Sequence, residues 1–90
     1  MAINVVIIDD SDPVREAFRS VLLREADMRI VGEAATACAA FAVVKKAMPD
    51  VVVLDVGRPE AGGVGVAAHL RRLPRPPRIV AVSGFATGGS

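Results

Sequence analysis

Three acidic side chains stand where two apolar segments of the chain end. Asp9 and Asp10 directly follow the apolar residues 5–8, and Asp55 directly follows residues 51–54. Both segments are almost wholly β-branched and lack polar alternation, which is typical of strands buried on both faces of a parallel sheet. In such sheets, ligands bind in the crevice beyond the carboxyl ends of the strands. Clustered like charges are unfavourable unless a cation, a proton or a substrate offsets them, and a hard divalent ion such as Mg²⁺ is the simplest partner for these carboxylates.

Length and composition limit the possible classes of protein. The chain has 90 residues, of which 52% are hydrophobic, and this indicates one packed domain spanning residues 1–90. A formal net charge of +1 gives no overall field that would favour nucleic acid. The lone Cys38, expected to be a small buried residue, cannot form an internal disulfide, and no segment resembles a signal peptide or a membrane span. We therefore expect a cytoplasmic location without membrane association.

Strand and helix signals alternate along the rest of the chain. Strands are predicted at residues 3–8, 29–33, 51–55 and 79–82. A first helix is predicted to start at Asp12, with Pro13 as its first helical residue, and two more helices at 36–48 and 64–73. Asp12 is expected to cap the first helix, and the apolar faces of the first two helices are expected to be Val14, Phe18, Val21 and Leu22, then Ala37, Phe41, Val44 and Met48. This order predicts an α/β fold with a doubly wound parallel sheet.

The same features resemble the receiver domain of two-component response regulators, a flavodoxin-like phosphoacceptor module. The resemblance covers essentially all 90 residues and is carried by the pair Asp9-Asp10, by Asp55, by the Pro and Gly residues of the loop 56–63, and by Ser83 after the fourth strand. Residues 30–34, Ile-Val-Gly-Glu-Ala, further resemble receivers attached to helix-turn-helix DNA-binding domains. The resemblance implies signal transduction, with regulation of transcription as the weaker expectation.

A role for each site residue is implied by this resemblance. Asp55 would be the nucleophile that accepts a phosphoryl group from the histidine of a sensor kinase, forming an acyl phosphate. Asp10 and Asp55 would ligate Mg²⁺ directly, Asp9 through a water molecule, and Gly57 through its backbone carbonyl. Ser83 would hydrogen-bond a phosphoryl oxygen and act as the switch.

The sequence also departs from the family pattern. Receivers carry a lysine at the end of a fifth strand, whereas the only lysines here are Lys45 and Lys46, both on the predicted second helix. A fifth strand and fifth helix are missing from the predicted elements, so we expect a receiver that is incomplete at its C-terminus. An edge strand at residues 79–82 would then tend to pair with another chain, which predicts a homodimer or a segment-exchanged dimer.

Alternative interpretations follow from the same residues. Absence of the family lysine favours a degenerate receiver that acts only as a protein-interaction or dimerisation module. The segment 10–14, Asp-Ser-Asp-Pro-Val, also matches haloacid-dehalogenase-type phosphatases, but the later lysine and acidic pair that such enzymes need do not follow Ser83. We predict a phosphoacceptor domain that is not itself an enzyme and whose partner is a sensor histidine kinase. Contact with DNA would require an output domain outside these residues.

Overall fold

The computed structural model describes residues 2–57 and 62–82. Its strands are β1 (Ile3–Ile8), β2 (Met28–Ala34), β3 (Val51–Asp55) and β4 (Arg78–Val82), and its helices are α1 (Asp12–Leu22), α2 (Ala37–Ala47) and α3 (Gly63–Leu70). The strands form one parallel sheet in the order β2-β1-β3-β4. This confirms the predicted doubly wound α/β sheet. Residues 83–90, on which the expectation of a missing fifth strand and helix depended, lie outside the described part of the chain.

The two central strands carry the core on both of their faces. Alternate side chains of β1 and β3 point to opposite faces, because successive residues of a strand do so. One face packs Val6 and Leu54 against α2 and α3, while the other packs Val5, Ile7 and Val53 against α1. Helices on both faces bury residues 5–8 of β1 and 52–54 of β3, which explains why these segments show no polar alternation.

Helix α1 begins and packs differently from the prediction. Ser11 is the N-cap, and its Oγ accepts a hydrogen bond from the backbone N–H of Val14 at 3.3 Å, so Asp12 is the first helical residue and not the cap. Val21 was expected in the apolar stripe but is 61% exposed. Phe18 and Leu22 pack against the sheet, whereas Val21, three residues after Phe18, lies at the exposed border of the same helix face.

Helix α2 has the predicted start, and Ala37, Phe41 and Val44 of its predicted apolar face pack in the core, whereas Met48 does not. Thr36 is the N-cap, and its Oγ1 accepts from the N–H of Ala39 at 3.1 Å. Met48 was predicted to be buried but is 64% exposed, because it leaves the helix in a left-handed conformation with φ 47°. Cys38 is exposed rather than buried. Ala40, which the predicted apolar face did not include, is fully buried.

Helix α3 is displaced and shorter than predicted. It runs from Gly63 to Leu70 instead of over residues 64–73, and Val64, which begins the predicted span, is 69% exposed. Strand β2 is longer than predicted by one residue at each end. Within the described ranges, none of the helices has both the length and the apolar character needed to cross a membrane.

Candidate functional site

The described structure brings together the three acidic residues singled out from the sequence. One carboxylate oxygen from each of Asp9, Asp10 and Asp55 lies within 4.8 Å of the other two. They converge because β1 and β3 are parallel neighbours, paired from Val5 with Val51 to Ile8 with Leu54, so that their carboxyl ends meet at one edge of the sheet. Asp9 is buried, Asp10 is exposed and Asp55 is intermediate. The cluster is therefore open to solvent on the side of Asp10.

Asp9 is held by hydrogen bonds from three directions. Its backbone N–H donates to the carbonyl of Ala34 at 3.0 Å, and its carboxylate accepts from the N–H of Ser11 at 2.9 Å. Its own carbonyl accepts from Nη1 of Arg15 at 2.6 Å. The residue is only 5% exposed. Without these hydrogen bonds, the burial of its polar groups would have a large cost in free energy. Asp9 is therefore held in a fixed position on the buried side of the site.

Asp55 is oriented by the backbone that follows it. The N–H of Gly57 donates to Asp55 Oδ1 at 2.8 Å, and the N–H of Val56 donates to the carbonyl of Val82 at 2.9 Å. The start of α3 closes over the same place, and a Cβ on Gly63 would overlap the carbonyl oxygen of Asp55. Asp55 therefore stands at the end of β3 with its main chain confined by β4 on one side and α3 on the other.

The donor set fits a small, hard divalent cation. Carboxylate oxygens are the ligands that Mg²⁺ prefers, and in an octahedron with bonds of about 2.1 Å neighbouring ligands lie about 3 Å apart and opposite ones about 4.2 Å apart. The 4.8 Å limit on the oxygens of Asp9, Asp10 and Asp55 is within a small side-chain adjustment of those spacings. No His or Cys belongs to the cluster, so the chemistry of the ligands does not favour a softer metal.

A charged network lies behind Asp9, between α1 and β2. Glu33 accepts hydrogen bonds from Arg19 Nε at 2.7 Å and from Arg19 Nη2 at 2.9 Å, and Arg15 Nε lies 3.5 Å from Glu33 Oε1. The hydrogen bond from Arg19, with the charges of both arginines, lowers the pKa of Glu33 below its usual value of 4.5 although partial burial opposes this. The same bond raises the pKa of the Arg19 guanidinium. The sequence interpretation did not identify this network.

The remaining predicted site residues have mixed outcomes. Gly57 is exposed and contributes its N–H to Asp55, and its predicted role as a carbonyl ligand stays a prediction. Ser83 and the loop residues 58–61 lie outside the described residues. Lys45 and Lys46 lie in the last turn of α2, whereas the acidic cluster lies beside the first turn of that helix.

Comparison with known proteins decides the family. The family model described as the response regulator receiver domain matches residues 5–88 of the chain. The chain belongs to this family. Among curated relatives, it is 39% identical over 90 residues to a protein-glutamate methylesterase/protein-glutamine glutaminase of Thiobacillus denitrificans, and 36% identical over 88 residues to one of Xanthomonas oryzae. The match covers 100% and 98% of the chain but only 25% and 24% of these relatives, so this receiver spans about a quarter of their length.

Solved receiver structures have the same fold. The signal receiver domain of NarL from Mycobacterium tuberculosis superposes with a TM-score of 0.83 at 33% identity, covering 93% of this chain and 68% of that one. The response regulator domain of Thermotoga maritima CheB superposes with a TM-score of 0.85 at 26% identity, covering 100% of this chain and 66% of that one. The flavodoxin-like receiver fold is therefore confirmed, and with it a place in two-component phosphorelay signalling.

Proposed function

We propose that Asp55 is the phosphoacceptor of this receiver and that Asp9, Asp10 and Asp55 hold the Mg²⁺ ion that the transfer requires. The main support for the proposal is the convergence of the three carboxylates. Asp9 and Asp10 lie beside Asp55, the last residue of β3. A cluster of this kind is unfavourable without a cation. We further propose that the phosphoryl donor is the phosphohistidine of a sensor kinase and that the reaction takes place in the cytoplasm.

The transfer would proceed by in-line displacement at phosphorus. A carboxylate oxygen of Asp55 forms a bond to phosphorus while the bond from phosphorus to the kinase histidine nitrogen breaks. The electron pair of that bond stays on the nitrogen, and because the other ring nitrogen of the phosphohistidine carries a proton, a neutral histidine leaves and an acyl phosphate remains. When bound, Mg²⁺ supplies positive charge that offsets the charge of the transferring phosphoryl oxygens. The N–H of Gly57 holds Asp55 Oδ1 in place. The carbonyl of Gly57 would complete the ligand set, and Ser83 would hydrogen-bond the transferred group.

Labelling with a small phosphodonor tests the nucleophile. In a version of the protein that contains the family lysine, acetyl phosphate with Mg²⁺ is expected to label Asp55, and Asp55→Asn is expected to remove the label. Asp27→Asn, at an exposed carboxylate outside the cluster, is the matched control and is expected to be labelled as wild type. In the 90-residue chain we expect little stable label. Label that survives Asp55→Asn would refute the assignment.

A second function, that of an interaction module, is favoured by the edge of β4. Within residues 2–57 and 62–82, β4 pairs only with β3, and Val80 on it is 46% exposed. A strand edge presents a row of backbone donors and acceptors to which another strand can add. We propose that this edge joins two copies of the chain, either directly or by exchange of segments. The two functions are compatible because the acidic cluster lies on β1 and β3.

The output that this receiver controls is a further proposal. The segment 30–34 resembles receivers of transcriptional regulators, and one solved relative, at 33% identity, is the NarL receiver. The curated relatives at 36% to 39% identity are methylesterase/glutaminase proteins instead. These matches favour an enzymatic output domain of that kind over a DNA-binding one, with the receiver itself acting as the phosphorylated switch and not as the enzyme.

A further inference from the structure

We propose that Arg15 is a positioning residue for the metal site, and that it raises the affinity for the cation by fixing the peptide unit between Asp9 and Asp10. The inference rests on the proposed function of the three aspartates. Arg15 lies in α1, immediately behind the turn that carries the acidic pair, and its side chain is only 15% exposed. A guanidinium so far withdrawn from water needs acceptors for its donors.

Each of three guanidinium nitrogens of Arg15 is directed at a different acceptor. Nη1 donates to the backbone carbonyl of Asp9 at 2.6 Å, Nη2 pairs with the carboxylate of Asp12, and Nε lies 3.5 Å from Glu33. The group therefore joins the turn after β1, the first turn of α1 and the end of β2. Because the guanidinium is planar and its donors have a rigid arrangement, it fixes the relative positions of these acceptors better than a flexible ammonium would.

The bond to the Asp9 carbonyl determines how the chain enters Asp10. That carbonyl belongs to the planar peptide unit whose nitrogen is that of Asp10, and the preceding peptide unit is held by the bond from the Asp9 N–H to Ala34. With both flanking peptide planes fixed, the backbone dihedrals of Asp9 are fixed as well. Arg15 thus sets the direction from which Asp10, the exposed member of the cluster, presents its carboxylate.

Charge and geometry predict opposite effects of removing Arg15. The positive charge of Arg15 lies near the cluster and repels a bound metal cation. Removing Arg15 would also take a positive charge away from Asp12 and Glu33, which would make the region more negative. On charge alone, a variant without Arg15 would bind a divalent cation more tightly. If Arg15 acts by positioning, the variant binds more weakly. The sign of the change in affinity therefore separates the two roles.

The test is the affinity of the metal-free 90-residue chain for Mn²⁺, measured from the electron paramagnetic resonance signal of the unbound ion. Arg15→Met and Arg15→Lys are both expected to weaken binding about tenfold, the usual effect of losing a residue that orients a ligand. Arg15→Lys keeps the positive charge and the apolar stem but loses the planar guanidinium and its rigid arrangement of donors. Arg19→Met is the matched control, since it removes the same charge from the same helix and from Glu33, and its affinity is expected to equal or exceed that of wild type.

The outcomes separate this inference from the function on which it rests. Wild type that does not bind Mn²⁺ refutes the metal site itself, and with it the role of Arg15. Wild-type binding that is lost in Asp55→Asn but is unchanged or tightened in Arg15→Met refutes only the role of Arg15. The amide signal of Asp10 in metal-free nitrogen-proton spectra gives an independent readout, because it is expected to shift in Arg15→Lys and not in Arg19→Met. Should Arg15→Met fail to fold, Arg15→Lys decides alone: because it keeps the charge, weaker binding supports the positioning role and unchanged binding refutes it.

Discussion

Gly63 approaches Asp55 so closely that a Cβ on the glycine would overlap the backbone carbonyl oxygen of the acid. The contact joins the first residue of α3 to the last residue of β3, the strand end on which the proposed nucleophile stands. The preceding Gly62 has a left-handed φ of 73°, which a glycine adopts without steric cost. Two consecutive glycines thus let α3 begin directly against the acidic cluster.

Gly63→Ala is expected to destabilise the chain by about 2–3 kcal/mol, because the added methyl group meets backbone atoms that cannot rotate away. The matched control is Gly65→Ala, two residues further along α3, where an added Cβ has nothing within 4 Å. That substitution is expected to stabilise by about 0.5–1 kcal/mol, because it removes a glycine from a helix interior. Chemical denaturation followed by circular dichroism measures both. Equal effects of the two substitutions would show that α3 does not pack on Asp55.

Mg²⁺ is expected to stabilise the folded chain, because the three carboxylates come together only when it is folded. At a concentration ten times the dissociation constant, a ligand of the native state adds about 1.4 kcal/mol. Asp10→Ala is expected to remove the gain from Mg²⁺, while its stability without Mg²⁺ equals or exceeds that of wild type because like-charge repulsion is relieved. Melting curves recorded with and without Mg²⁺ in both proteins provide the measurement. Coincident curves in wild type would contradict the proposed site.

The strands and the acidic cluster could be predicted from the sequence because the signals are local. Continuous β-branched runs indicate buried parallel strands, and an acid directly after each run must then lie at the same edge of the sheet. The predicted and observed strands agree to within one residue at each end. The convergence of Asp9 with Asp55, residues far apart in the chain, followed from this reasoning without any structural information.

The errors concern contacts that depend on how the elements pack. Val21 and Met48 were predicted to be buried but are exposed, since neighbouring elements decide which face a short helix turns to the sheet and where the helix ends. The bond between Arg19 and Glu33 spans 14 residues and exists only because α1 crosses β2. Likewise, the bond from Arg15 to the Asp9 carbonyl is not visible in residue types. The one signal that could have pointed to this network is the pair of arginines four residues apart on a predicted helix face.

Glu33→Gln is expected to lower the melting temperature by roughly 2–5 °C near pH 7, as a partly exposed ion pair in a domain of this size would. The pKa of Glu33 is lower in the folded chain than its usual 4.5. The stabilisation it provides is therefore complete above pH 4.5 and is lost as the pH falls through the folded-state pKa. The difference between wild type and Glu33→Gln is thus expected to shrink below pH 4.5.

Glu25→Gln is the matched control for this pH dependence. Glu25 is exposed and has no salt bridge among the residues that the structure describes. Its substitution is expected to leave the melting temperature within about 1 °C of wild type at every pH, as is usual for surface changes. A deficit in Glu33→Gln that persists unchanged in acid would show that the ion pair with Arg19 is not its cause.

Association through β4 is expected to make the chain larger than a monomer in solution. The strand pairs with β3 from Arg78 to Val82, and Val80 in its middle is 46% exposed. Val80→Lys places a charge on this short apolar strand, a feature that natural proteins use to prevent edges from pairing. Light scattering at micromolar concentration is expected to give the mass of a dimer for wild type and of a monomer for Val80→Lys. Val64→Lys, which changes a valine of α3 that is 69% exposed, is the control and is expected to remain dimeric. A wild-type monomer would exclude the association. A dimer whose mass neither substitution changes would place the contact between copies elsewhere.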